Sequence, residues 1–384
     1  MKNIVFYFLF FTLLFLNPID AISSESVKIG LSLSLTGKYS PMGKAQEQGY
    51  RLWEADINNQ GGILGKKVSL IIIDDKSEVE RIYEIYEELI NKHKVNFLFG
   101  PYSSPLSMAA IKVSKKYDYP IFIGGAASDS LWDNGFDGAF GVRPLASKYA
   151  NGFLNIMSEN NLKESSVFYT DDEFSVSVAR GVERSFDFVG FKLTNYEGFK
   201  KGTIDLTKLA QKVKDKGGQV VILCGHFDES VNMIKAFNSI NYKPKAFYAT
   251  VGPAAADFYK ILGKDAEFVF TTTFFDERVN WPKSKEFIRK YKKLYKKSPD
   301  YQSAFAYATG QIFEEAIKTS NSFDNKKLKE TLHNGLNIVT IVGNYMIDKQ
   351  GRVISNTSMI IQWQNGKMEI VWPKKLRTAK EVLN

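Results

Sequence analysis

The stretch GGILGKKVSLIIIDDKS, residues 61–77, constrains the fold more than any other. Two consecutive glycines accept the left-handed backbone that stops a helix. The run Val68, Leu70, Ile71, Ile72 and Ile73 is too short for a helix and too apolar for a strand with one wet face. The segment therefore reads as a helix end followed by a fully buried strand that delivers Asp74 and Asp75 to its tip. A strand buried on both faces is the mark of a β-α-β unit in a parallel sheet.

The same alternation runs along the chain. Strands are expected at Val27, Ile29, Leu31, Leu33 and Leu35, then at 68–73, 95–99 and 121–123, separated by helices over 43–59, 79–90 and 105–116. A second series begins after Arg143-Pro144, with helices at 149–159, 174–188, 206–214, 231–240 and 254–262. Its strands are expected at 166–169, 191–196, 220–223, 246–249 and 268–272. Helices over 284–295, 304–318 and 325–332 have no strand between them and must pack onto an existing sheet. Residues 359–363 and 368–371 flank Asn365-Gly366, a β-hairpin signal. A chain of 384 residues exceeds the size of one ordinary core, so two α/β domains are expected.

Residues 1–23 read as a secretory signal peptide: Lys2, a short apolar run to Leu16, the breaker Pro18, then Ala21 or Ser23 before the cut. The single cysteine, Cys224, lies in an apolar run and suits a small core residue. It permits no intramolecular disulfide, and no cysteine follows the leader to carry a lipid anchor. A diffusible periplasmic protein is expected. The excess of 51 Lys+Arg over 42 Asp+Glu is scattered, and its densest cluster, around Lys290, Lys292, Lys293, Lys296 and Lys297, has the spacing of a solvated helix face. No nucleic-acid partner is expected.

Enzyme signals are weak. His93, His226 and His333 are not spaced as metal ligands, and neither a nucleophile elbow nor a phosphate-binding glycine loop is present. No catalytic residue, metal or cofactor is assigned. The acids Asp74-Asp75, Asp171-Asp172-Glu173 and Asp228-Glu229 fall at strand tips, where helix capping explains them more simply than a hydrolase pair. In a doubly wound sheet ligands sit beyond the strands' carboxyl ends, near helix N-termini. Two tips suit that role. GPYSSPLS, 100–107, offers Tyr102, Ser103 and Ser104; GGAASDS, 124–130, offers Ala126, Ala127 and Ser128 behind two glycines.

The element order over nearly the whole chain, the 61–77 turn and the segment GNYMIDKQGRV at 343–353 resemble the type I periplasmic binding proteins of the leucine/isoleucine/valine-binding family. The resemblance implies two doubly wound parallel-sheet lobes joined by three crossings, near Pro144, near Thr273 and within 343–348. Lobe I would hold 27–144 and 274–345; lobe II would hold 145–273 and 346–384. It further implies a monomer that captures a small-molecule ligand between the lobes and hands it to an ABC transporter permease. A sensing module for a membrane receptor is the first alternative, and a secreted hydrolase using the strand-tip acids is the second.

Carried over residue by residue, the family's carboxylate-holding serine corresponds to Ser103 or Ser104, and its small-residue turn to Ala126, Ala127 and Ser128. Met42 and Phe174 stand where the branched-chain binders have tyrosines. Phe227, with His226 beside it, matches a further aromatic, and Val251 falls where those binders place a glutamate for the ligand ammonium. Either the ligand is not an ordinary zwitterionic amino acid, or Asp172 or Asp228 substitutes. The candidates are a branched-chain amino acid, an amide, or an apolar or aromatic carboxylate.

Overall fold

The computed structural model describes residues 26–255, 257–355 and 358–384. The expected leader, 1–23, lies outside them. The first elements are β1 (Val27–Leu33), α1 (Ser40–Asn59), β2 (Val68–Asp74), α2 (Val79–Asn91), β3 (Phe97–Phe99), α3 (Ser104–Tyr117), β4 (Ile121–Ile123) and β5 (Ala139–Gly141). Their strands form one parallel sheet in the order β2-β1-β3-β4-β5. Helix α1 starts three residues before the expected 43, because Pro41 fits a first turn, where a missing N–H costs nothing. Strand β3 starts at 97 rather than 95, since Lys28 bonds the side chain of Asn96 before the ladder begins. Sequence reading missed β5, whose three residues are too few to show a period.

The second series is α4 (Asn151–Glu159), β6 (Glu164–Thr170), α5 (Glu173–Val189), β7 (Lys192–Phe199), α6 (Thr207–Asp215), β8 (Val220–Cys224), α7 (Phe227–Ser239), β9 (Ala246–Ala249), α8 (Asp257–Leu262) and β10 (Val269–Thr273). Next come α9 (Ser284–Tyr295), α10 (Tyr301–Ser320), α11 (Asn325–His333), β11 (Ile338–Thr340), β12 (Gly343–Tyr345), β13 (Met359–Gln364) and β14 (Lys367–Trp372). The second sheet runs β14-β13-β10-β9-β8-β6-β7, with β6 to β10 parallel and the final hairpin antiparallel. The hairpin turns at Asn365 and Gly366, both at positive φ, and the Glu267 carboxylate accepts both of their N–H groups at 2.8 Å. Strands β11 and β12 form a separate antiparallel pair.

The late helix α10 returns to the first sheet, as its lack of a following central strand requires. Phe313 meets Phe97, Phe99 and Phe122 at ring distances of 4.9, 5.6 and 5.7 Å, and Trp53 of α1 at 6.2 Å. The chain between β12 and β13 is fastened to the end of β5. Val353 bridges both Pro144 and Ile347, Gly141 donates to the Gly351 carbonyl at 2.8 Å, and the Tyr345 hydroxyl donates to the Gly141 carbonyl at 3.0 Å. Gly351 is needed there: its φ is +80°, and a Cβ would stand 2.2 Å from the Ala139 oxygen.

Candidate functional site

Both sheets point the carboxyl ends of their parallel strands at one small cavity of about 40 Å³. From the first sheet come Tyr102 and Ser104, after β3, and Gly125, Ala126 and Ala127, after β4. From the second come Phe174 after β6, His226 after β8 and Val251 after β9. Arg143, Tyr149 and Tyr301 complete the wall. This is where unpaired helix N–H groups and strand ends leave room for a ligand.

The turn from β3 into α3 is forced. Ser103 precedes the helix at φ +78° and ψ 149°, a region that side chains rarely occupy and that costs about 1–3 kcal/mol. Its N–H donates to the Gly125 carbonyl at 3.1 Å, which clamps the β3 and β4 tips together. Gly125 cannot carry a side chain, because a Cβ would sit 2.3 Å from the Pro101 oxygen. The Ser104 hydroxyl then accepts from the Ser128 N–H at 3.3 Å, with Ser104 only 3 % exposed.

On the opposite wall, the His226 Nε2 lies 3.1 Å from Oδ2 of Asp172, which also bonds the hydroxyls of Thr170 and Ser175 and faces the Lys201 ammonium at 3.4 Å. Burial pushes the Asp172 pKa up, but the hydrogen bond and charge of His226, with Lys201 and Thr170, outweigh it and hold the carboxyl well below the usual range. The His226 ring stands 5.5 Å from Phe174, which meets Tyr149 edge-on at 5.4 Å. Desolvation drives the phenols of Tyr102, Tyr149 and Tyr301 upward, so they remain neutral hydrogen-bonding groups.

Of the residues singled out from sequence, Tyr102, Ser104, Ala126, Ala127, Phe174, His226 and Val251 come together around the cavity. Met42, Ser103, Ser128 and Phe227 do not line it. Met42 sits in the first turn of α1; the Ser103 hydroxyl is buried in the turn. Phe227 packs on Phe258 at 6.2 Å, and the Ser128 hydroxyl is taken by Ser130, Ser177 and the Glu173 carbonyl. Neither proposed substitute acid reaches the cavity wall: Asp172 is engaged behind His226, and Asp228 is exposed. Asp74 and Asp75 do not cap α2, whose N-cap is Glu78. Asp75, fully buried, accepts from Ser32 and Ser34, while Asp74 accepts from the N–H groups of Leu35 and Thr36.

Sequence reasoning missed Arg143, Tyr149 and Tyr301 as site residues. Arg143 is 4 % exposed; its Nε donates to the Gly124 carbonyl at 2.6 Å and an Nη donates to Oε1 of Gln302. A charged residue beside a proline in an otherwise apolar segment was the available signal.

Comparisons with known proteins agree with this geometry. Residues 26–367 match the family model of the periplasmic binding proteins. The chain is 26 % identical over 373 residues to Leu/Ile/Val-binding protein homolog 7 of Brucella suis, covering 91 % of this chain and 92 % of that one. The branched-chain amino acid transporter substrate-binding protein of Streptococcus pneumoniae, solved with isoleucine, superposes with a TM-score of 0.80 at 22 % identity, covering 91 % of this chain and all of that one. A solute-binding protein of an ABC transporter from Rhodopseudomonas palustris, solved with benzoate, superposes with a TM-score of 0.76 at 18 % identity, over 90 % and 95 % of the two chains. Among the described residues no helix is long and apolar enough to cross a membrane. The chain belongs to the periplasmic binding protein family, extracytoplasmic proteins that bind solutes rather than turn them over.

Proposed function

We propose that this protein captures a small solute between two lobes and presents the closed form to an ABC transporter permease. The observation that carries the proposal is the shared wall: the cavity draws side chains from the strand tips of both sheets. Contacts from both sides reach a ligand only when the sheets approach, so occupancy favours closure by its differential affinity for the closed state. The lobes are assigned to 27–144 with 274–345, and to 145–273 with 346–384, hinged at the three passages between them. The solute is a branched-chain amino acid, an amide, or an apolar or aromatic carboxylate, in keeping with the relatives solved with isoleucine and benzoate.

The ligand contacts are assigned to the cavity residues Tyr102, Ser104, Ala126, Ala127, Phe174, His226 and Val251. The protein is read as a monomer, exported by residues 1–23 and free in the periplasm without a lipid anchor. The test is mass spectrometry of small molecules released from purified protein, followed by X-ray scattering with and without the solute found. A solute that binds and shrinks the radius of gyration supports the reading. A bound solute that leaves the dimensions unchanged defeats closure as the signal.

A further inference from the structure

Four helices aim their first turns at the cavity. Ser104 opens α3, Phe174 is the second residue of α5, His226 directly precedes α7, and Tyr301 opens α10. Each N-terminus contributes roughly half a positive charge through N–H groups with no intrahelical partner. Arg143 adds a whole charge at the same point.

The partners of that guanidinium are neutral. Besides the Gly124 carbonyl and the Gln302 amide, the rings of Tyr301 and Phe305 lie 5.3 and 4.8 Å from its central carbon. Among the described residues the arginines that form ion pairs are 51, 184, 278, 352 and 377, and Arg143 is not one of them. A buried charge without a counter-ion is strongly unfavourable unless something supplies the opposite sign. The acids nearby are committed elsewhere. Asp172 serves His226 and Lys201, Asp300 accepts the Ser303 N–H at 2.8 Å, and Asp129 accepts the Ser147 N–H at 3.1 Å.

We propose that Arg143 is the counter-ion of a ligand carboxylate, and that the site selects carboxylic acids that carry no amino group. This narrows the solute-binding reading given above and rests on it. An ammonium brought into the cavity would meet a guanidinium and four positive helix ends, with no carboxylate among the described residues of the wall to receive it. The carboxylate, in contrast, meets a buried guanidinium that forms no ion pair among the described residues, and the aromatic wall takes the apolar body.

Matched pairs separate charge from shape: isocaproate against leucine, hydrocinnamate against phenylalanine, and benzoate against benzamide. Each is titrated calorimetrically into the purified chain. At least one acid binds, and its amino or amide counterpart binds about a hundredfold more weakly or worse. Arg143→Gln abolishes the preference for acid over amide, whereas Arg143→Lys, which keeps the charge, retains part of it. A purely structural role for Arg143 would weaken acid and amide alike and leave their ratio unmoved. An amino acid that binds as tightly as its matched acid, or an Arg143→Gln protein with the acid preference intact, overturns the proposal and leaves solute binding standing. Failure of every acid to bind overturns it as well, and the released-solute measurement then judges the wider reading separately. If Arg143→Gln does not fold, the wild-type pairs and Arg143→Lys decide the matter.

Discussion

The hydroxyl of Ser128, on the loop that leaves β4, lies 2.9 Å from the hydroxyl of Ser177 on α5. The Ser128 hydroxyl also donates to the Glu173 carbonyl at 3.1 Å, and the Ser177 oxygen accepts from the Asp129 N–H at 3.3 Å. Loop and helix pack on different sheets, so these bonds depend on the approach of one sheet to the other.

Ser177→Ala removes the oxygen shared by both partners while keeping the helix. At about 0.5–1.5 kcal/mol for a net hydrogen bond, solute affinity should fall roughly two- to tenfold through a less stable closed form. Calorimetric titration together with X-ray scattering checks it; unchanged affinity would place these bonds outside the closing motion.

Asp172 gives the protein a specific acid sensitivity. Its carboxyl pKa is depressed in the folded state, so its contribution is complete above the unfolded value near 4 and is lost as the pH falls through the folded value. Asp172→Asn should be less stable than wild type at neutral pH by about 1.5–3 kcal/mol, the range for hydrogen bonds to charged groups. The gap should narrow progressively below about pH 4. Urea unfolding of both proteins across that range is the measurement, and a gap independent of pH would refute the assignment.

Gly49 holds α1 against α10. A Cβ at this position would stand 2.1 Å from the Ser303 carbonyl oxygen, a backbone atom that cannot swing away. Gly49→Ala should therefore destabilise by roughly 1–3 kcal/mol, despite the better helix propensity of alanine. Thermal unfolding decides between the two effects, and a rise in Tm would show that the helices can separate.

Phe174 forms cavity wall on the second sheet's side. Phe174→Ala should cost about 1.5–3 kcal/mol of ligand binding, roughly ten- to a hundredfold in Kd, for a ligand with an apolar body. The far-ultraviolet circular dichroism should be unchanged. A variant with full affinity would mean that the ligand's body lies against the first sheet alone.

Much of the architecture is written in local pattern. The apolar run at 68–73 became β2 of a parallel sheet as its pattern implied, but at the sheet's edge, where Ile71, Ile72 and Ile73 are only partly buried rather than covered on both faces. The Asn365-Gly366 turn specified its hairpin because both residues tolerate positive φ. Tyr102, Ser104, Ala126 and Ala127, at the tips after β3 and β4, were legible as cavity wall because strand ends and helix starts imply that location in any doubly wound sheet.

What local pattern could not supply was pairing across the molecule. Arg143 lies in a short, nearly apolar segment, and nothing near it in sequence announces a buried guanidinium whose side-chain partner, Gln302, is 159 residues away. Ser128 looked like a ligand hydroxyl until α5 brought Ser177 against it. Asp75 looked like a cap until β1 placed Ser32 and Ser34 beside it. The amino-acid order by itself determined most of the segments that became strands and helices, because the periodicity of the longer elements reflects their own burial, whereas three-residue strands such as β5 show none. Only the tertiary structure decided which polar group each strand tip would meet, because a cavity between two sheets is assembled from residues that share no local period.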